Sequence, residues 1–252
     1  MDNKEYKNII EINRAFMKST FVEEGYKSDQ QKQLQQPPLT KQSVNENKIT
    51  LTKDFSAVIK ESNILTVLNE RKSNRVFINE GLTLEQLSFL LWTTQGVKGI
   101  RGDNYATERT VPSGGARHAL EIYIAALNVE KLEKGLYHYL PLEHEIELVA
   151  TFDNIENPVV ESLDGQEWAG KSSVVFYYTA IPYRSEWRYT TKAHKLILLD
   201  AGHAVQNLYL GCGAIGCGTC AVGDYNQELS DKLLQVDGIH EFVIYAAPVG
   251  IV

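Results

Sequence analysis

An α+β fold is predicted for this chain, and three observations predict it. Two short apolar runs at 136–140 and 145–149 flank Pro141-Leu-Glu-His144 and read as an antiparallel hairpin. Helical stretches fall between strand-like runs without the strict alternation that a parallel sheet requires. The 252 residues are 43% hydrophobic and 23% charged, the profile of a globular chain able to bury a core without disulfide or metal staples.

Each element has a local reason. Ile9, Ile10, Ile12 and Phe16 have helical spacing and predict a short amphipathic helix. It runs into a polar, glutamine-rich stretch broken by Pro37-Pro38, with too little apolar surface to order itself. Residues 1–50 therefore read as an arm, either mobile or laid across a neighbouring surface, ahead of a domain over 51–252. Ile64, Leu65, Val67 and Leu68 predict a helix ending near Arg71. Thr83-Leu-Glu-Gln86 is a capping box that opens a helix through Leu87, Leu90, Leu91 and Trp92 to a stop at Gly96. Leu120, Ile122, Ile124 and Ala126 alternate with other residues, which reads as a strand. Residues 174–179 and 242–246 read as buried strands. Apolar residues at 196, 199, 204, 205 and 208 predict a helix over 195–210, and Asp224 is the expected cap of a last helix through Leu229, Leu233 and Leu234.

Charge and motifs exclude several functions. Lys plus Arg is 25 against 32 for Asp plus Glu, a net −7, which argues against a nucleic-acid or anionic-membrane binder. Tyr183, Arg184, Trp187, Arg188 and Tyr189 interleave aromatic and basic residues as single-strand binders do, but the overall charge is wrong for that. No apolar run approaches the ~20 residues needed to cross a bilayer. The opening MDNKEYKNII has no signal-like apolar region, and three cysteines within nine residues make no disulfide framework, so the cytoplasm is expected. Cys212-x4-Cys217-x2-Cys220 has the spacing of three iron–sulfur ligands but lacks a fourth, so small buried thiols are the better reading and no metal is expected. Gly211-Cys-Gly213-Ala-Ile-Gly216 spells a dinucleotide-binding string, yet a helix precedes it where that mechanism needs a strand. It reads as a Gly-rich helix end and loop. Neither HExxH nor GxSxG is present, so hydrolase chemistry has no support.

Three remaining segments carry chemistry. Arg71-Lys72-Ser73-Asn74-Arg75 sets three cations and a hydroxyl in five residues, which suits a terminal phosphate. Val111-Pro112-Ser113-Gly114-Gly115-Ala116 allows a backbone to pass close to a flat ligand. Gly218-Thr-Cys-Ala-Val-Gly223-Asp224 is a Gly-rich loop whose amides can point at an electron-rich ring atom.

Together, in this order, the three resemble the flavin-dependent nitroreductase family over about residues 51–252. The resemblance implies a mostly antiparallel sheet flanked by helices, in an interlocked homodimer. It also implies FMN as cofactor, with hydride transfer through flavin N5 and NAD(P)H as a donor. Arg71, Lys72, Ser73 and Arg75 match the family's phosphate-holding turn. Pro112, Ser113, Gly114 and Gly115 match the loop that reaches the flavin from the other subunit. Gln166 sits where members place an amide near the flavin, and Cys220, Ala221, Val222 and Gly223 match the segment whose amide faces N5.

One branch, the azoline dehydrogenases that oxidise thiazoline and oxazoline rings in modified peptides, is similar in further strings. These are Leu90-Leu-Trp-Thr-Thr-Gln-Gly96, Lys134-Gly-Leu-Tyr-His-Tyr139 and Asp200-Ala-Gly-His-Ala-Val-Gln-Asn-Leu-Tyr-Leu210. The branch often carries a Lys-Tyr pair implicated in substrate deprotonation; here the pair is Arg188-Tyr189. Arginine stays protonated and is a poor base. The resemblance thus leaves three activities open: NAD(P)H-linked reduction of nitro or quinone compounds, azoline oxidation on a modified peptide, and a non-catalytic flavin scaffold in a peptide-modifying complex. Residues 183–189 read as a lid over the flavin or as an ordinary surface loop, with Arg188 and Tyr189 the candidate catalytic pair.

Overall fold

The computed structural model describes residues 3–19 and 25–252. Seven strands form one sheet in the order β1-β6-β5-β4-β7-β9-β8: β1 (Lys48–Thr50), β4 (Leu120–Ala126), β5 (Gly135–Leu140), β6 (Glu145–Thr151), β7 (Val174–Ala180), β8 (Cys217–Thr219) and β9 (Phe242–Ile251). Every neighbouring pair runs antiparallel. The β5–β6 hairpin pairs Leu140 with Glu145, where the sequence places its turn. A separate two-stranded ribbon joins β2 (Val97–Arg101) to β3 (Ala106–Arg109).

Helices cover both faces. On one, α3 (Leu84–Gln95) and the long α6 (Ala193–Ile215) pack Leu87, Leu90, Leu91, Val205 and Leu208 against Ile122, Ile124, Phe176 and Tyr178. On the other, α4 (Glu156–Ser162) and α7 (Gln227–Leu234) bring Val159, Leu233 and Leu234 against Tyr123, Ala125, Val175 and Tyr177. Under this two-sided cover all seven residues of β4 are buried.

Local signals account for the helix ends. Thr83 accepts the Gln86 amide while Gln86 returns a bond to the Thr83 amide, and α3 stops at Gly96. Helix α2 (Ile64–Glu70) is capped by Asn63. Helix α6 runs past Leu210, through Gly211 and Gly213, to a left-handed cap at Gly216 (φ 76°). A Cβ on Gly211 would lie 2.9 Å from Thr93 Oγ1, so this glycine serves helix packing rather than a nucleotide. Two expectations fail. The last helix is capped by Asn226 and not Asp224. Residues 183–189 are no loop but helix α5 (Tyr183–Tyr189), with Arg184, Ser185 and Trp187 buried.

Helix α1 (Asn3–Met17) leaves Ile9, Ile12 and Phe16 exposed and meets the body where Lys195 Nζ donates to Met17 O. Residues 28–45 lie across the body. Lys41 Nζ donates to Glu241 (2.6 Å) and to Tyr123 Oη (2.7 Å), and its amide to Glu121 (3.0 Å). Glu147 accepts bonds from Ser43, Val44 and Asn45. These carboxylates belong to a buried network in which His138 bridges Glu121 and Glu147 and Arg184 pairs with Glu121. Arg184 and His138 hold the Glu121 carboxyl ionised against the cost of burial.

Candidate active site

Helix α2 ends at Glu70, and the extended backbone of Arg71 turns the chain toward β8. There Asn74 donates its amide to Thr219 O (2.9 Å) and Ser73 bridges Thr219. Arg71, Lys72, Ser73 and Arg75 stay exposed. Tyr209 of α6 joins this turn to the Gly-rich segment. Its hydroxyl accepts the Ala221 amide (2.9 Å) and lies 3.1 Å from Ser73 Oγ, while the Arg71 guanidinium sits 5.3 Å above its ring. A cavity of about 400 Å³ opens here, lined by Arg71, Lys72, Asn74, Tyr209 and Thr219 among others. A Cβ at Gly218 would lie 2.5 Å from Asn74 Nδ2, so the turn and β8 approach as only glycine permits. Cys220 and Val222 are buried, Gly223 is exposed, and Val222 exchanges backbone bonds with Ala246. Gln166 donates to Asp224 O (3.1 Å). Beside it Arg75 lies 5.9 Å from the Trp168 ring, and both line a groove of about 490 Å³ with Phe77.

A second cluster forms at the other end of α6. Asp200 accepts the Gly114 amide with both carboxylate oxygens (3.1 and 3.2 Å) and a bond from Ser113. Burial raises the Asp200 carboxyl above its ordinary value. Ser113 Oγ also accepts the His118 amide (2.9 Å). Gly115 (φ 59°) packs so tightly on α5 that a Cβ there would lie 2.3 Å from Tyr189 Oη. Arg188 lies 5.3 Å from the Tyr189 ring. Pro112 is exposed at the mouth of this loop. Under it, His118 is buried with no partner for Nδ1 among the described residues, and burial beside Arg109 pulls it down to about 2.

The structure therefore brings the sequence-predicted residues together as two sets. Arg71 to Arg75, Gln166 and Cys220 to Gly223 share one end of α6; Pro112 to Gly115, Arg188 and Tyr189 share the other. Asp200 and Tyr209 stand nine positions apart on the helix, about 13 to 14 Å along the axis. Reasoning from sequence missed the parts that hold each set. Asp200 and Tyr209 stand in a string noted for its likeness, but nothing local gave either a role. The cysteines are buried, and burial pushes the Cys217 thiol up to about 12, so it is a neutral thiol.

The model of the nitroreductase family matches residues 68–251. This chain belongs to the nitroreductase family. It is accordingly an oxidoreductase. A nitroreductase of Methanocaldococcus jannaschii is 29% identical over 192 residues, covering 76% of this chain and 92% of that relative. The microcin B17-processing protein McbC of Escherichia coli is 29% identical over 141 residues, 54% of this chain and 51% of McbC. Among solved structures, a nitroreductase of Ralstonia eutropha superposes with a TM-score of 0.67 at 26% identity, over 86% of this chain and 94% of that one.

Proposed function

We propose that this nitroreductase-family protein is an FMN-dependent reductase that works as a homodimer. Each flavin lies between one chain's cationic turn and the partner's Pro-Ser-Gly-Gly loop. One observation carries the reading: the two half-sites are set about 13 to 14 Å apart along α6, so the loop that one chain presents is available to a flavin held by the turn of another. Exposed Leu198 and Leu199 on α6, and an apolar groove of about 470 Å³ between α2, α3 and α6, support a second copy as the missing surface.

The turn fits a phosphate. Arg71, Lys72 and Arg75 are exposed and take part in no ion pair among the described residues; Arg71 and Lys72 line a cavity within the ~300–1,000 Å³ range of ligand pockets, and Arg75 lines the neighbouring groove. In this reading Arg71, Lys72, Ser73 and Arg75 bind the phosphate, and Gln166 and residues 220–223 flank the ring. FMN, when bound, supplies the hydride chemistry, and the protein supplies binding and orientation. Arg188 contributes a fixed charge and Tyr189 a phenol able to hold or relay a proton. The substrates of this reading are nitro or quinone compounds with NAD(P)H as donor, the domain is 51–252, and the compartment is the cytoplasm. Among the described residues no helix is long and apolar enough to cross a membrane.

Likeness to a microcin-processing protein favours a second reading, oxidation of azoline rings in a modified peptide. Arg188, standing where that branch carries lysine, weighs against it. The visible spectrum of purified protein tests the cofactor, and failure to load FMN removes both readings. Turnover of NAD(P)H with a nitroaromatic, set against oxidation of an azoline peptide, separates them.

A further inference from the structure

Tyr105, at the end of the turn between β2 and β3, is where the arm meets the candidate catalytic helix. Its phenol oxygen accepts two hydrogen bonds, from Arg188 Nη1 (2.8 Å) and from Gln30 Nε2 (3.1 Å). Gln30 is itself tied to α5, donating its amide to Trp187 O (2.9 Å), and Trp187 Nε1 donates to Leu34 O (3.1 Å). Asp29 accepts the Tyr183 hydroxyl (3.0 Å). Arg117 completes the junction. Its guanidinium lies 4.8 Å from the Tyr105 ring and donates to Tyr105 O (2.8 Å) and to Gly115 O (3.2 Å).

Cations predominate at this junction, and its carboxylate, Asp29, is paired with Lys32. Arg117 spends its bonds on carbonyls, which orient a guanidinium without neutralising it. Among the described residues no carboxylate pairs with Arg101, Arg117 or Arg188. A phenol oxygen with two donors already aimed at it fixes the position of the Arg188 fork while leaving its charge intact.

We propose that Tyr105, steadied by Gln30 of the arm, is a positioning residue that holds Arg188 as a fixed cation beside the Gly114-Gly115 loop, so that the site selects substrates bearing an anionic group. The inference rests on the flavin-site reading above and names its substrate class. Neither Tyr105 nor Gln30 touches the phosphate turn, so their effect falls on substrate and not on FMN.

The test uses FMN-loaded protein reduced anaerobically with dithionite, reoxidised by 4-nitrobenzoate or by neutral 4-nitrobenzamide. The readout is the ratio of half-saturating concentrations, which a general loss of rate does not move. Wild type is expected to favour the anion about tenfold, the size of one charge-assisted hydrogen bond. Tyr105→Phe should bring the ratio to within about threefold of unity, and Gln30→Ala should move it the same way by less. In an Arg188→Ala background, Tyr105→Phe should add nothing. No preference in wild type, an unchanged ratio in Tyr105→Phe, or additive losses in the double variant overturns the proposal. If Tyr105→Phe gives no folded holoprotein, Gln30→Ala decides by the same ratio. A folded wild-type protein that takes up no flavin fails the site reading itself, before any charge preference is measured.

Discussion

The two ends of α6 are built on opposite principles. At the Tyr209 end the functional groups are exposed cations on a turn, held by a few backbone bonds and one phenol. At the Asp200 end they are packed into one another: a carboxylate on an amide, a phenol against a glycine, a buried histidine beneath. The first is a place where something charged must arrive. The second is already assembled, its loop held by bonds from Asp200 and Ser113 within the chain. A ligand should therefore depend on the first end for affinity, and turnover should depend on the second for geometry.

The sharpest way to break this division is Gly115→Ala. The new Cβ would overlap Tyr189 Oη at 2.3 Å, and φ of 59° is a conformation that alanine rarely adopts. Displacing the phenol should cost turnover about a hundredfold, as loss of an acid–base partner does. FMN affinity, read by fluorescence titration, should change much less. Equal losses of both would merge the two ends into one.

At the other end, Arg71→Ala removes a charge-assisted fork worth about 1.5–3 kcal/mol, raising the FMN dissociation constant roughly ten- to a hundredfold. Unchanged retention would take Arg71 out of the site.

How much of this the sequence disclosed depended on how local each cause is. Helix α3 was legible from cap to stop because Thr83, Gln86 and Gly96 act within its own span. The apolar run predicts a strand only over 242–246, whereas β9 continues to Ile251. Pro248 sits within it, and its carbonyl accepts from Thr219 Oγ1, a partner 29 residues away that no local pattern reveals. The surface-loop alternative for residues 183–189 fails because Arg184 looks like a surface residue until Glu121 is found beneath it. The cationic turn was legible because its residues are adjacent in sequence. Asp200, Tyr105 and Lys41 were not, since each works only through partners far along the chain.

Acid should separate the ends next. Burial holds His118 neutral, with its pKa pulled down to about 2, whereas an opened loop restores ordinary titration near 6.5. The opened state therefore binds the extra proton, and closed-loop stability is full above pH 6.5 and declines as pH falls. From pH 7 to pH 5, opening is favoured by about twentyfold from His118 alone. Asp200 pushes the other way, because its raised carboxyl takes up a proton more readily in the packed loop. Hydrogen exchange of the 113–118 amides, corrected for intrinsic pH dependence, should accelerate on acidification, while that of residues 219–222 should not. Parallel changes would mean that the two ends open as one unit.

The smallest effect concerns Tyr209, the joint of the looser end. Its hydroxyl is shared between Ser73 and the Ala221 amide, and its ring lies under Arg71. Tyr209→Phe keeps the ring and removes both hydroxyl contacts, each a neutral hydrogen bond worth roughly 1 kcal/mol. If the phenol's task is to hold the turn against the Gly-rich segment, FMN affinity should fall by about three- to fivefold, with turnover at saturating flavin unchanged. The Ala221 amide provides the counter-outcome. Should the flavin ring need that same amide, the phenol is a competitor, and its removal would tighten binding by a similar factor. We expect weakening, because Ser73 and Arg71 lean on the same side chain and lose their common support with it. Tightening would instead make Tyr209 a placeholder for the cofactor, and the looser end would prove to be as preassembled as the packed one.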